Sequence, residues 1–268
     1  MFVFTTNQIP QTRAELAEAI TAGLGRSIRL PASSPVSISG ELPAVSELAV
    51  DVSNGSISTD QPLPDPTPPT DAIPGPTADR FVIRGHPIAI EDIPMQFDLS
   101  ARKVAFAYGH NSAGELLATL SEASDGHLAV QLDHEHLESA ILLAAKRLAA
   151  SSGVSIVAVA TTLTSVNPTT VDVRLNITAK KFVTAQLRIS GRLSVNEKMV
   201  ATASNLTADG EGMVGSIAVG FVRPHLQKLN GTPLPLLAFS LGSVKLRSIN
   251  VATDDGLRIT AEFGSVPT

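Results

Sequence analysis

From Val171 to Thr178 the chain reads VDVRLNIT, so that Val171, Val173, Leu175 and Ile177 alternate without a break with Asp172, Arg174, Asn176 and Thr178. Side chains of an extended chain point to opposite faces in turn, and a period of two therefore describes a strand with one dry and one wet face. The flanking stretches repeat the pattern. VSIVAVATTLTSV precedes it and FVTAQLRISGRLSV follows, with Leu187 and Ile189 set against Arg188 and Ser190, and then comes KMVATASNLTADG. Long two-faced strands in succession predict an antiparallel meander whose dry face is covered by something apolar.

Three segments offer that cover. Residues 12 to 24 begin with Thr12 and, three positions on, Glu15, the capping-box spacing; Leu16, Ala17, Ile20 and Leu24 share one face, and Gly23 and Gly25 mark the exit. Residues 134 to 151 carry Leu137, Ala140, Ile141, Leu142, Leu143, Ala144, Ala145, Leu148 and Ala149, apolar over well over half of a helical circumference. A helix that apolar is expected to be wrapped rather than laid on a surface. Residues 216 to 230 form the third, kinked or restarted at Pro224 and ended by Gly231.

Short β segments fill the stretch from Phe81 to Asp133: FVIR, HPIAI, MQFDLS, KVAFAY, ELLATLS and HLAVQLD, punctuated by Gly85, Gly109, Gly114 and Gly126. Two more strands close the chain around the Asp255-Gly256 turn, with Leu257, Ile259, Ala261 and Phe263 on one face. Residues 59 to 77, TDQPLPDPTPPTDAIPGPT, are too rich in proline for a sheet interior and read as a loop or tether. Strand-like sequence resumes beyond it with no new globular signature. Residues 1 to 268 are therefore read as a single domain.

Of the 268 residues, 43% are hydrophobic but only 4% aromatic, with no Trp and one Tyr, which predicts an interior of Val, Ile, Leu and Ala. A net charge of −5, with no basic cluster longer than Lys180-Lys181, argues against nucleic acid. The absence of Cys removes disulfides and thiolate chemistry. MFVFTTNQIPQTRAELAEA has neither a basic n-region nor a signal-length apolar core. As written the chain reads as cytoplasmic, peripheral to membranes at most; a trimmed N-terminal signal or anchor would put it in the cell envelope instead.

QLDHEHLESAI, residues 131 to 141, gathers two histidines and three carboxylates in a short span. On a helix His134 and His136 are about 200° apart and cannot share a metal. Asp133 suits an N-cap, and Glu135 and Glu138 complement the macrodipole. GHNSAG, residues 109 to 114, misses the nucleophile-elbow spacing by one residue and reads as a turn. No Walker loop, dinucleotide fingerprint or HExxH occurs. The reading is non-enzymatic, with no cofactor or metal. Two alternatives stay open: a β-rich scaffold or protein-interaction domain with a filled core, and a metal hydrolase using His127, His134 and His136 from an extended segment.

The opening TRAELAEAITAGLG with PVSISGELPAVSELAVDVSNGSI, the mid-chain VQLDHEHLESAI and the closing PLPLLAFSLGSVKLRSINVATDDGLRITAEFG together resemble the bacterial lipomannan-elongation-associated phospholipid-binding family, related to the tubular lipid-binding (bactericidal/permeability-increasing-like) superfamily. The resemblance runs from about Thr12 to Phe263 and rests on element order and apolar pattern. It implies an α+β fold in which a long, strongly curved antiparallel sheet wraps around two or three helices and encloses an aliphatic tunnel. The partner it implies is a phospholipid or fatty acid, with transient membrane contact. The dry-face positions expected to line the tunnel are Leu16, Ile20, Leu137, Ile141, Leu148, Val173, Leu175, Leu187, Ile189, Phe221, Leu226, Leu246, Ile259 and Phe263.

Overall fold

The structure, a computed structural model, describes residues 2–31, 34–57, 71–149, 155–180, 184–196, 200–235 and 244–265. In chain order the elements are β1 (Phe2–Val3), α1 (Arg13–Leu24), β2 (Val36–Glu41), β3 (Ala44–Asp51), β4 (Ser56–Ile57), β5 (Ile73–Ile90), β6 (Ile93–His110) and β7 (Leu116–Asp133). Then follow α2 (His134–Ala149), β8 (Ser155–Asn167), β9 (Thr170–Lys180), β10 (Thr184–Val195), β11 (Val200–Gly210), α3 (Gly212–Leu229), β12 (Pro233–Pro235), β13 (Lys245–Ala252) and β14 (Gly256–Gly264). The expected α+β class with extensive antiparallel pairing is present. Contacts gather the chain into two compact units, Met1–Val130 with Phe239–Ser248 and Thr260–Thr268, and Gln131–Ala238 with Ile249–Ile259. The boundaries fall inside β7, β13 and β14, as well as at residues 238 and 239.

In the first unit α1 starts as its sequence predicts. Thr12 Oγ1 accepts the Glu15 N–H at 3.2 Å, while the Glu15 carboxylate reaches back to the Gln11 N–H at 2.8 Å, one residue beyond the usual reciprocal partner. Leu16 and Ile20, one turn apart, are buried. Gly23 lies against the Val3 carbonyl, where a Cβ would collide with backbone.

The strands of the first unit are longer than the sequence suggested. Instead of six short segments there are three of 18 residues each, β5, β6 and β7. Gly85 opens a bulge in the β5–β6 ladder, and Gly126 sits mid-strand because the Phe263 ring occupies the space a side chain would take. GHNSAG is the turn expected: Asn111 Oδ1 accepts the Ala113 and Glu115 N–H groups, and Gly114 adopts φ +76°.

Pairing is antiparallel for β2–β3 and β5–β6 but parallel for β3–β5 and β4–β5. A parallel pair needs a long crossover, and the proline-rich stretch lies in the connection from β3 to β5. Of the expected loop at 59 to 77, residues 59–70 lie outside the described residues, and Ile73–Thr77 belong to β5. Pro74 precedes Thr77, where pairing with β3 begins, so β3 requires no donor from it. The core of this unit is aromatic as well as aliphatic. Phe81 meets Phe2 and Phe106 edge-on at centroid distances of 6.2 and 5.3 Å, among Phe4, Tyr108, Leu48 and Val104.

The second unit contains the meander. Its sheet runs β12-β11-β10-β9-β8, and all four ladders are antiparallel. A bulge places Asn205 at φ +54° opposite the Ser190–Arg192 step. β8 is an edge strand, and side chains blunt it: the Glu138 carboxylate accepts the Thr161 N–H at 2.6 Å and Thr253 Oγ1 accepts that of Ser165 at 3.2 Å. α2 and α3 pack on the dry face around Ile156, Val159, Ile177, Ala179, Leu187 and Val219.

Two helical expectations are corrected. α3 begins at Gly212 rather than 216 and passes through Pro224. Gly220 and Pro224 are both exposed, so the carbonyl deprived of its hydrogen bond faces solvent instead of breaking the helix. α2 is laid on the sheet rather than wrapped: among its described side chains only Leu137 is buried, and Ala144 is exposed. No helix among the described residues is long and apolar enough to cross a membrane.

Candidate functional site

The residues expected to line a tunnel fall into two settings. Leu16, Ile20, Leu246 and Phe263 belong to the first unit, where the first two and Phe263 are buried in the aromatic core and Leu246 packs against it. Leu137, Ile141, Val173, Leu175, Leu187, Ile189, Leu226 and Ile259 belong to the second unit. The Leu148 and Phe221 side chains lie outside the described residues.

Within the second unit the β-ladder sets Leu175 beside Ile189, with Val173 beside Gly191 one step further along the same face. α2 brings Ile141, Leu142 and Ala145 against this face. The layer has a buried centre in Ile177 and Leu187, whereas Ile141, Leu142, Leu175 and Ile189 are only half-buried. Its described residues contain no aromatic ring. Leu226 is half-buried, and Ile259 is 36% exposed.

The wet face of the same sheet is equally regular. Register sets Thr162, Arg174, Ser190 and Thr207 in one row, and Thr164, Asp172, Arg192 and Ser204 in the next. A cavity of about 260 Å³ is lined by Thr162, Thr164, Asp172, Arg174, Ser190 and Arg192, together with Asn205 and the strand positions Val173 and Gly191. Arg192 holds Asp172 through two hydrogen bonds, 2.6 and 2.9 Å, the bidentate fork–carboxylate geometry. That contact keeps the Asp172 carboxyl below the ordinary carboxylate range and raises the Arg192 guanidinium. Ser190 and Thr207 hydroxyls lie 3.0 Å apart. Arg174 has no hydrogen-bond or ion-pair partner among the described residues. Alternation in the sequence put Asp172, Arg174 and Ser190 on a wet face and gave Thr162, Thr164, Arg192 and Asn205 no face. Recurrent arginines at 174, 188 and 192 were its one visible signal, and register, which brings them together, is not readable from one strand at a time.

Four of the six histidines each lie beside a carboxylate rather than in a cluster. His136 Nδ1 lies 2.6 Å from Asp133, His134 3.6 Å from Glu138, His86 2.7 Å from Asp98 and His110 2.8 Å from Asp71. Asp133 accepts the His136 N–H at 2.9 Å, the expected N-cap bond, and this bond holds its carboxyl below the usual range. His127 is exposed on β7. Among the described residues no three His, Asp or Glu side chains converge as a metal set. No family model matches the chain, and comparison with curated proteins and with solved structures likewise finds no match.

Proposed function

We propose that the protein binds the acyl chain of a phospholipid or fatty acid, non-enzymatically, in the apolar layer of the second unit. One observation carries this reading: Ile141, Leu142, Leu175 and Ile189 pack on the same apolar layer and are left half-buried. Aliphatic side chains so placed lose contacts that a hydrocarbon chain would restore. Among the described residues the layer is branched and aliphatic with no aromatic ring, and the Thr161 hydroxyl, set opposite Leu175 on the same face, is buried there with no hydrogen-bond partner.

The energetics suffice. Burial is worth about 0.8 kcal/mol per CH₂, so a chain of about fourteen methylenes gains roughly 11 kcal/mol against water. Micromolar affinity needs about 8 kcal/mol. Exchange with a bilayer moves the chain between two apolar media and nearly cancels, which suits a carrier that loads and unloads at a membrane without an energy source. The resemblance to the lipomannan-elongation-associated phospholipid-binding family points the same way, and a curved sheet around an aliphatic channel is part of the proposal.

Mass spectrometry of organic extracts from the natively purified protein tests it. Phospholipid or fatty acid is expected at a fixed ratio to protein across preparations. Repeated preparations free of lipid, with stable capture of a protein partner that survives Ala145→Phe, would favour the scaffold reading instead.

A further inference from the structure

We propose that the wet face of the second unit's sheet carries a binding site for a phosphate-type dianion, held by the Arg174 guanidinium with the hydroxyls of Thr162, Thr164 and Ser190. The site is the cavity over the two polar rows, and three features of its lining select the ligand.

Charge comes first. The described lining carries two guanidiniums and one carboxylate, a single excess positive charge in a chain of net charge −5. Asp172 is engaged at both oxygens by Arg192, at 2.6 and 2.9 Å, so the carboxylate is neutralised and its partner fixed. Arg174 alone is left with an unused fork, and an anion is the group that completes a guanidinium.

Donor geometry comes second. Thr162 and Ser190 flank Arg174 in its row, and Thr164 stands in the next. A planar carboxylate is satisfied by the fork alone. The tetrahedral oxygens of a phosphate can also accept from hydroxyls outside the plane of the guanidinium.

Size comes third. About 260 Å³ is below the roughly 300–1,000 Å³ of drug-sized ligand sites, and no aromatic side chain among the described lining residues offers a platform for a base or a sugar. A phosphate group fits, as a soluble phosphomonoester or as the exposed headgroup of a phosphomonoester lipid. The site occupies the opposite face of the sheet from the apolar layer, so it stands or falls independently of acyl-chain binding.

Titration of the isotopically labelled full-length protein with inorganic phosphate, followed by amide NMR, tests the site. Saturable shifts are expected around Thr162, Arg174 and Ser190, with acetate at equal ionic strength binding more weakly because it gains only the fork. Arg174→Gln is expected to weaken phosphate binding by about tenfold or more, while Arg188→Gln, on the same face outside the cavity lining, changes it less than about threefold. Flotation with phosphatidylcholine vesicles, with and without phosphatidic acid, identifies the source. Capture that needs phosphatidic acid and Arg174 assigns a lipid headgroup, and phosphate shifts without capture assign a soluble ester. Absence of saturable shifts in the wild type at millimolar phosphate would overturn the proposal, as would acetate binding equally well or equal weakening by both variants. The wild-type shift map decides even where a variant fails to fold.

Discussion

Tyr108 is the chain's one tyrosine, and burial pushes its hydroxyl up to about 12. Its oxygen is buried with no hydrogen-bond partner among the described residues. Absorbance titration, uncomplicated by other tyrosines, should therefore find no phenolate in the folded protein at the usual value near 10. Because the folded value is raised, the associated stability is full below about pH 10 and lost as pH rises toward about 12. Tyr108→Phe removes an unsatisfied hydroxyl and should leave stability unchanged or raise it by up to about 1 kcal/mol in urea unfolding. The opposite sign applies to Asp71. It accepts the His110 N–H at 3.0 Å and the ring at 2.8 Å, and its carboxyl is held low, chiefly by the backbone bond. Its contribution is present above about pH 4 and is lost as pH falls through the lower folded value. Asp71→Asn should flatten the acid limb of the stability profile, and an unchanged limb would remove this account.

Among the elements, α1 was legible because its signals are local: a cap three residues from its carboxylate, and Leu16 and Ile20 on one face. β9 and β10 were legible for the same reason, their alternation being complete within each strand. Glycines misled the reading elsewhere. Gly126 looked like punctuation, yet the strand continues and Phe263, 137 positions later in sequence, fills the gap. Gly212 and Gly215 disguised the start of α3; Gly215 is where helix backbone approaches the Gly210 backbone too closely for a side chain. Long-range packing of this kind leaves no trace in a local window. It is testable all the same: Gly126→Val should destabilise the protein by about 1–3 kcal/mol through the displaced Phe263 ring, measured by chemical unfolding. Glu138→Ala strands the Thr161 N–H on the β8 edge and should cost about 1–3 kcal/mol, with Glu138→Gln costing less because it keeps an acceptor.

Across the whole molecule, the low aromatic content suggested one aliphatic interior, and the structure divides it. The first unit's core is filled by edge-to-face phenylalanines, whereas the described core of the second unit has no aromatic ring, is smaller and is bordered by half-buried side chains. Native-state hydrogen exchange should accordingly find slower exchange in β5 and β6 than in β8 to β10. The proposed function rests on that second layer. Titration of the protein with a fluorescent fatty acid tests it most directly, using two substitutions of equal bulk one position apart on α2. Ala145 packs against the apolar layer and Ala144 is exposed. The account predicts saturable binding to the wild type, retained by Ala144→Phe and weakened by about tenfold or more in Ala145→Phe. No binding to the wild type, or equal binding by both folded variants, would contradict it.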